Sequence, residues 1–243
     1  MKDGSNSMRG STRDALLLLG VDTCGPSGSV ALGRLHGAGG AESLEILGQI
    51  ELEGRNYSAT LVAAVRDLLA GAGAGVGDLG AIVAINGPGS FTGVRVGLSA
   101  VKGLAEPFGL QVVAVSRLEV LAAKSGVSTS ALDAHRGEIF LRLATRGEEA
   151  YELLAGAHDL AQIDPRPEGI VVCDDAAAAL VAAAWPEAEL VQEPAPTAAD
   201  ALAVASRRVA SRRFVDLALL DGHYLRRSDA EIFGEPAGAA RRK

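Results

Sequence analysis

Short apolar runs broken by glycine or charge alternate along this chain with longer stretches in which apolar residues recur every three or four positions. Residues 15–21 are continuously apolar, as in a strand buried on both faces. Residues 22–28 are turn material, and 29–34 read as a returning strand. After a glycine-rich turn at 37–40, residues 43–53 alternate well enough for a third strand, so the opening is an antiparallel meander. A helix opens at 55–58 and runs to about 70, with Leu61, Val62, Val65, Leu68 and Leu69 spaced for burial; glycines in 71–77 end it. An apolar strand at 81–85, a sharp loop, a helix from about 92 to 108 and a strand at 111–115 follow. Three antiparallel strands, then helix, strand, helix, strand, predict a mixed sheet with helices packed on it: an α/β domain.

A further helix over 116–124 precedes a second start of the pattern: a strand at 127–132, a turn at 133–137 and a returning strand at 138–144. Both hairpins share an apolar strand, an aspartate at its end and a turn with glycine. This is a weak internal repeat, open also to the reading that two hairpins resemble each other by chance. Beyond it lie a strand at 169–173, an alanine-rich helix from Asp174 and Asp175 to near Trp185, and a helix over 197–213 with a basic end. The division expected is a disordered extension at 1–14, a first half at 15–115, a second, reduced half at 116–227 and a flexible tail at 228–243.

Hydrophobic content of 48% is enough for a sizeable core, and a net charge of −7 argues against a broad electrostatic footprint on nucleic acid. Cys24 and Cys173, far apart, build neither a disulfide framework nor a zinc site, which fits a reducing compartment. The four histidines are scattered, none three or four residues from another, so no zinc-helix motif exists and no metal site is expected. No apolar run reaches transmembrane length. Arg207, Arg208, Arg212 and Arg213 read as charges favoured late in a helix and solvated there.

The loop Gly87-Pro88-Gly89-Ser90-Phe91-Thr92, with Gly93 and Gly97 behind it, joins a buried strand to a helix whose first turn Ser90 or Thr92 can cap. Free amides at a helix start attract anions, so phosphate binding is one reading. A P-loop needs a lysine after its last glycine, and Val94 and Arg95 stand there. A dinucleotide fingerprint needs a third glycine or alanine, and Thr92 stands there. The favoured reading is a tight connection without a ligand. Asp22, followed by Thr23, and Asp133 each close an apolar strand. Each could hold hydrated magnesium beside turn amides facing phosphate, or bond its own backbone in an Asx turn.

In the helix after Thr92, Arg95, Ser99, Lys102 and Glu106 form a single polar line, which means burial on more than one side. Gly93, Gly97 and Ala100 add a face of small residues. The helix after Asn56 is similarly poor in polar positions. A partner subunit could cover the excess, and so could the chain's own second half.

The run from Ile85 through Gly97, followed by Lys102-Gly103-Leu104-Ala105, closely resembles the signature of the TsaB (YeaZ) family. Val21-Asp22-Thr23 with Ser29-Val30-Ala31-Leu32, the run from Leu132 through Phe140, and Tyr224-Leu225-Arg226 match its other landmarks in order. The resemblance covers roughly residues 16–227. It implies an actin-like ATPase (ribonuclease-H-like) fold of two related halves, with mixed sheets and flanking helices. It also implies the dimerisation subunit of the bacterial machinery that makes threonylcarbamoyladenosine at adenosine 37 of tRNA.

Such a subunit catalyses nothing alone and needs no cofactor, because the paralogue TsaD and the ATPase TsaE, its partners, handle metal and ATP. The resemblance implies pairing with TsaD through the helices after Asn56 and Thr92, a homodimer when TsaD is absent, tRNA met only through the complex, and a cytoplasmic location away from membranes. The interface it implies uses Tyr57, Leu61, Val65, Leu68, Gly93, Val94, Gly97, Leu98 and Val101, with Asp22, Thr23 and Asp133 as a vestigial nucleotide site. A charged residue at Gly97 would then break pairing without unfolding the chain. The competing reading is an actin-like ATPase or kinase active by itself.

Overall fold

A computed structural model describes residues 15–37, 42–53, 56–144 and 149–226. The extension at 1–14, the tail at 228–243 and most of the turn at 37–40 lie outside them. The opening meander is present as β1 (Ala15–Asp22), β2 (Ser27–His36) and β3 (Ser43–Glu53), each pair antiparallel. Helix α1 (Tyr57–Gly71) leads through a short 3-10 turn to β4 (Leu79–Ile85), parallel to β1. Helix α2 (Phe91–Ala105) leads to β5 (Gln111–Val115), parallel to β4. The sheet order is β3-β2-β1-β4-β5.

Helix α3 (Arg117–Ser125) crosses to the second lobe, capped by the Ser116 hydroxyl, which accepts from the Leu118 amide at 3.2 Å. There β6 (Ser130–Asp133), β7 (Glu138–Leu143) and β8 (Tyr151–Gly156) form another antiparallel meander, and β9 (Gly169–Val172) and β10 (Glu189–Gln192) run parallel to its first strand. Read from its β8 edge, this sheet runs β8-β7-β6-β9-β10, the order of the first sheet. The repeat therefore extends from one hairpin to whole lobes. Three elements had no counterpart in the sequence reading: β8, the short helix α4 (Ala157–Gln162) and β10. Helix α5 (Asp175–Ala184) packs with Trp185, whose indole Nε1 donates to the Leu160 carbonyl at 3.1 Å in the second core.

The last helix, α6 (Ala198–Ala210), corrects the division of the chain, because it returns to the first lobe. A Cβ at Gly20 would lie 2.7 Å from the Ala198 carbonyl oxygen, and the Ala198 amide donates to Ser29 Oγ at 2.8 Å. Side chains alternate faces along β2, so Ser29 and Gly33 point to α6 while Gly28 points to Tyr57 of α1. The first sheet is thus covered on both faces by its own chain. Arg208 ties α6 to the crossover, donating to Glu119 of α3 and to the Ala114 carbonyl, so one member of the basic cluster is a structural strut.

Candidate interlobe site

The glycine loop serves as an internal joint. Gly87 takes φ 121°, a region that favours glycine, and a Cβ there would lie 2.8 Å from the His223 carbonyl oxygen. A Cβ on Gly89 would come within 2.2 Å of the Cys24 carbonyl oxygen, and the Ser90 amide donates to that same oxygen at 2.8 Å. Ser90, rather than Thr92, caps α2, its hydroxyl accepting from the Gly93 amide at 3.3 Å. Gly87 accepts from the Arg117 amide and Asn86 from the His223 amide, each at 2.7 Å. The loop is bolted to the β1–β2 turn, the start of α3 and the C-terminal segment together.

Gly93 and Gly97 have one neighbour in common. A Cβ on Gly93 would sit 2.0 Å from the Thr23 carbonyl oxygen, and one on Gly97 would sit 2.2 Å from Thr23 Oγ1. Thr23 Oγ1 donates to the Gly93 carbonyl at 2.7 Å. The small-residue face of α2 is therefore occupied within the chain. Tyr57, Leu61, Val65, Val94, Leu98 and Val101 are likewise buried in the first core, and of the nine proposed interface residues only Leu68 is partly exposed. That set is corrected in part: Val65, Gly93, Val94, Gly97, Leu98 and Val101 are turned into the chain's own core. The outward faces of α1 and α2 show Ser58, Val62, Arg95 and Ser99 around a shallow groove of about 350 Å³ that Tyr57 and Leu61 also line, with Val62 59% exposed.

Asp22 and Asp133 both form Asx turns. Oδ1 of Asp22 accepts from the Cys24 amide at 2.8 Å, and Oδ1 of Asp133 from the His135 amide at 2.7 Å. Beyond that they differ. Asp133 pairs with His135 Nδ1 at 2.7 Å near the surface, whereas Asp22 is fully buried, with Oδ2 3.6 Å from Arg117 Nε. Neither of those two atoms has a hydrogen-bond partner. Gly25 leaves the room, since a Cβ there would lie 2.4 Å from Arg117 Nη2.

Burial pushes the Asp22 carboxyl above its ordinary range, against the pull of Arg117 and the Cys24 amide. Burial opposes the charge of Arg117 too, but Asp22 together with Cys24, Cys173 and Tyr57 outweighs it and raises that group. Burial with Asp22 nearby raises the Cys24 thiol and takes the Tyr57 hydroxyl up to about 12.

Arg117, absent from the sequence reading, sits in the floor of a cleft of about 790 Å³ between the lobes. Tyr57, Phe91, Asp133, Cys173 and Tyr224 are among its walls. The C-terminal segment 221–226 straps across it. Asn86 Nδ2 donates to the Asp221 carbonyl at 3.2 Å in the first lobe, and Arg226 pairs with Glu138 in the second. Between them His223 Nε2 lies 2.8 Å from Glu152 Oε2, and Glu152 also accepts from Ser116 Oγ at 2.7 Å and Arg142 Nη1 at 3.0 Å. Burial alone would raise the Glu152 carboxyl, but these donors outweigh it and hold the group below the usual range. Among the described residues no cluster of three or more His, Cys, Asp or Glu is placed to hold a metal ion.

Two lobes, each a mixed sheet in the same strand order with flanking helices and a cleft between them, define an actin-like ATPase (ribonuclease-H-like) fold. A profile of the family described as TsaD: tRNA N6-adenosine threonylcarbamoyltransferase matches residues 46–163. The tRNA threonylcarbamoyladenosine biosynthesis protein TsaB of Bacillus subtilis (strain 168) is 34% identical over 132 residues, 53% of this chain and 55% of that protein. TsaB of Escherichia coli (strain K12) is 33% identical over 129 residues, 51% of this chain and 52% of that protein. These matches span about half the length of the curated relatives. The structure of YeaZ from Pseudomonas aeruginosa superposes with a TM-score of 0.66 and 26% identity, covering 86% of this chain and all of that one. The resemblance to the TsaB (YeaZ) family read from the sequence is thereby borne out.

Proposed function

We propose that this chain is a TsaB-type scaffold subunit in the modification of tRNA. It pairs with TsaD to support transfer of the threonylcarbamoyl group to adenosine 37, with TsaE as a further partner and ATP and metal handled by those partners. The observation that carries a non-catalytic role is the surroundings of Asp22. A carboxylate at that strand end could coordinate hydrated magnesium, but here it is fully buried and faces Arg117. The likeness to TsaB supports the pathway. The setting is the cytoplasm, where tRNA is reached only through the complex. Among the described residues no helix is long and apolar enough to cross a membrane.

The partner surface in this reading is the outward groove between α1 and α2. Val62→Glu, at a side chain 59% exposed, is expected to weaken pairing with TsaD by at least about tenfold while leaving the melting temperature unchanged. Calorimetric titration of TsaD into the two proteins measures it, and unchanged affinity would remove this face from the interface. Without TsaD the same face forms a homodimer, which light scattering on the Val62→Glu variant would report as a monomer. Turnover of magnesium-ATP by the isolated chain would overturn the scaffold reading in favour of a stand-alone ATPase.

A further inference from the structure

The scaffold role leaves the interlobe cleft unused. Its volume of about 790 Å³ is that of a small-molecule site. One wall is the stacked pair Phe91 and Tyr224, ring centroids 4.4 Å apart, and the facing lobe contributes Leu132 and Phe140. The acids along the cleft are already committed. Asp133 holds His135, while Asp174 accepts from the Ala177 amide at 2.7 Å and the Asp133 amide at 3.0 Å. Arg117 differs. Its side chain is 7% exposed, its Nε has no hydrogen-bond partner, and its contact with Asp22 at 3.6 Å is too long for a hydrogen bond. A guanidinium carries five N–H donors; Nε is sealed from solvent and turned to Asp22, so the donors left for an acceptor delivered through the cleft are those of the two terminal nitrogens.

We propose that the cleft binds a small monocarboxylate with an apolar or aromatic body, its oxygens accepting from Arg117 and its body lying against Phe91, Tyr224 and Phe140. The planar fork of the guanidinium matches a carboxylate. Charge sets the class of ligand. Asp22 already offsets part of the arginine's charge, and along the walls Arg226 is paired with Glu138 while Asp133 and Asp174 oppose an anion, so a single negative charge is accommodated better than a phosphate dianion.

Ligand-observed saturation-transfer NMR on the full chain, with 4-phenylbutyrate, 4-phenylbutyramide and inorganic phosphate as probes, tests this. The acid is expected to bind with the millimolar affinity that a fragment of its size reaches, the amide about tenfold more weakly and phosphate not at all. Thr92 is exposed and lines the cleft, so Thr92→Trp should fill its mouth and abolish binding with no change in melting temperature. The double variant Asp22→Asn/Arg117→Met, which removes both charges together, should bind acid and amide equally. Should that variant not fold, Thr92→Trp still decides. Absence of acid binding to the unmodified chain, equal binding of acid and amide to it, or binding that survives Thr92→Trp overturns the proposal. None of these outcomes bears on pairing with TsaD, which the Val62→Glu titration reads separately.

Discussion

Gly93→Ala should cost about 3 kcal/mol or more of folding stability, at the upper end of what overpacking does in a well-filled core. The added Cβ would lie 2.0 Å from the Thr23 carbonyl oxygen, a backbone atom that cannot swing aside. Relief would require α2 to lift away from the β1–β2 turn. That movement would break the bond from Thr23 Oγ1 to the Gly93 carbonyl and strip Val94 and Leu98 of their packing. Gly97→Ala meets a side chain instead, its Cβ 2.2 Å from Thr23 Oγ1. Relief by rotating that hydroxyl is open to it at the cost of the bond to the Gly93 carbonyl, so its loss should be smaller than that of Gly93→Ala. The internal control is Gly103, in the same helix with nothing within 4 Å, where alanine should instead add up to about 1 kcal/mol through helix propensity. Urea denaturation of the three variants measures these changes as shifts in midpoint at constant slope. A Gly93→Ala midpoint equal to that of the unmodified chain would show that α2 is not seated on Thr23. The same geometry revises the expectation for a charged residue at Gly97: the chain itself would fail before any partner could be lost.

Much of the first lobe was legible because its periods are clean. The expected third strand at 43–53 and the strand at 111–115 coincide with β3 and β5. The elements missed in the second lobe lack that signal: β8 is half-buried along most of its length, and β10 is an edge strand of four residues that are largely exposed. Helices apolar on more than one side were also legible. What covers the second side is a long-range fact, and here Thr23 and the rest of the first core take the face the sequence left open. The return of α6 to the first sheet is long-range in the same way, and nothing local in 198–210 distinguishes the two sheets. At the site, the glycines announced a tight joint, but Arg117 had no signature. An arginine in the first turn of a helix ordinarily reads as exposed, and its partner Asp22 stands at the far end of another element.

Arg117→Met should destabilise the chain by about 3–5 kcal/mol near neutral pH, the range for removing one partner of a buried ion pair. Asp22, fully buried, would be left with only the Cys24 amide at 2.8 Å to hold its charge. The loss should depend on pH with a definite sign. Burial raises the folded-state pKa of Asp22 above its ordinary 3.8, so the folded chain holds that proton more tightly than the unfolded chain does. Stability then falls as pH rises from the unfolded value towards the folded one, and removing the arginine widens that interval upward. The deficit of the variant should therefore be smallest near pH 4 and grow towards neutrality. Glu152, whose carboxyl is held low, contributes the opposite slope, but it does so in both proteins and cancels in the difference. Asp22→Asn/Arg117→Met should recover most of the loss and flatten its pH dependence, because replacing both members of a buried pair is often near neutral where breaking it is not. Urea midpoints of the single and double variants across this range measure the coupling. A single variant equally destabilised at both ends, or a double variant no better than the single one, would mean that Arg117 contributes packing at the lobe junction rather than charge to Asp22.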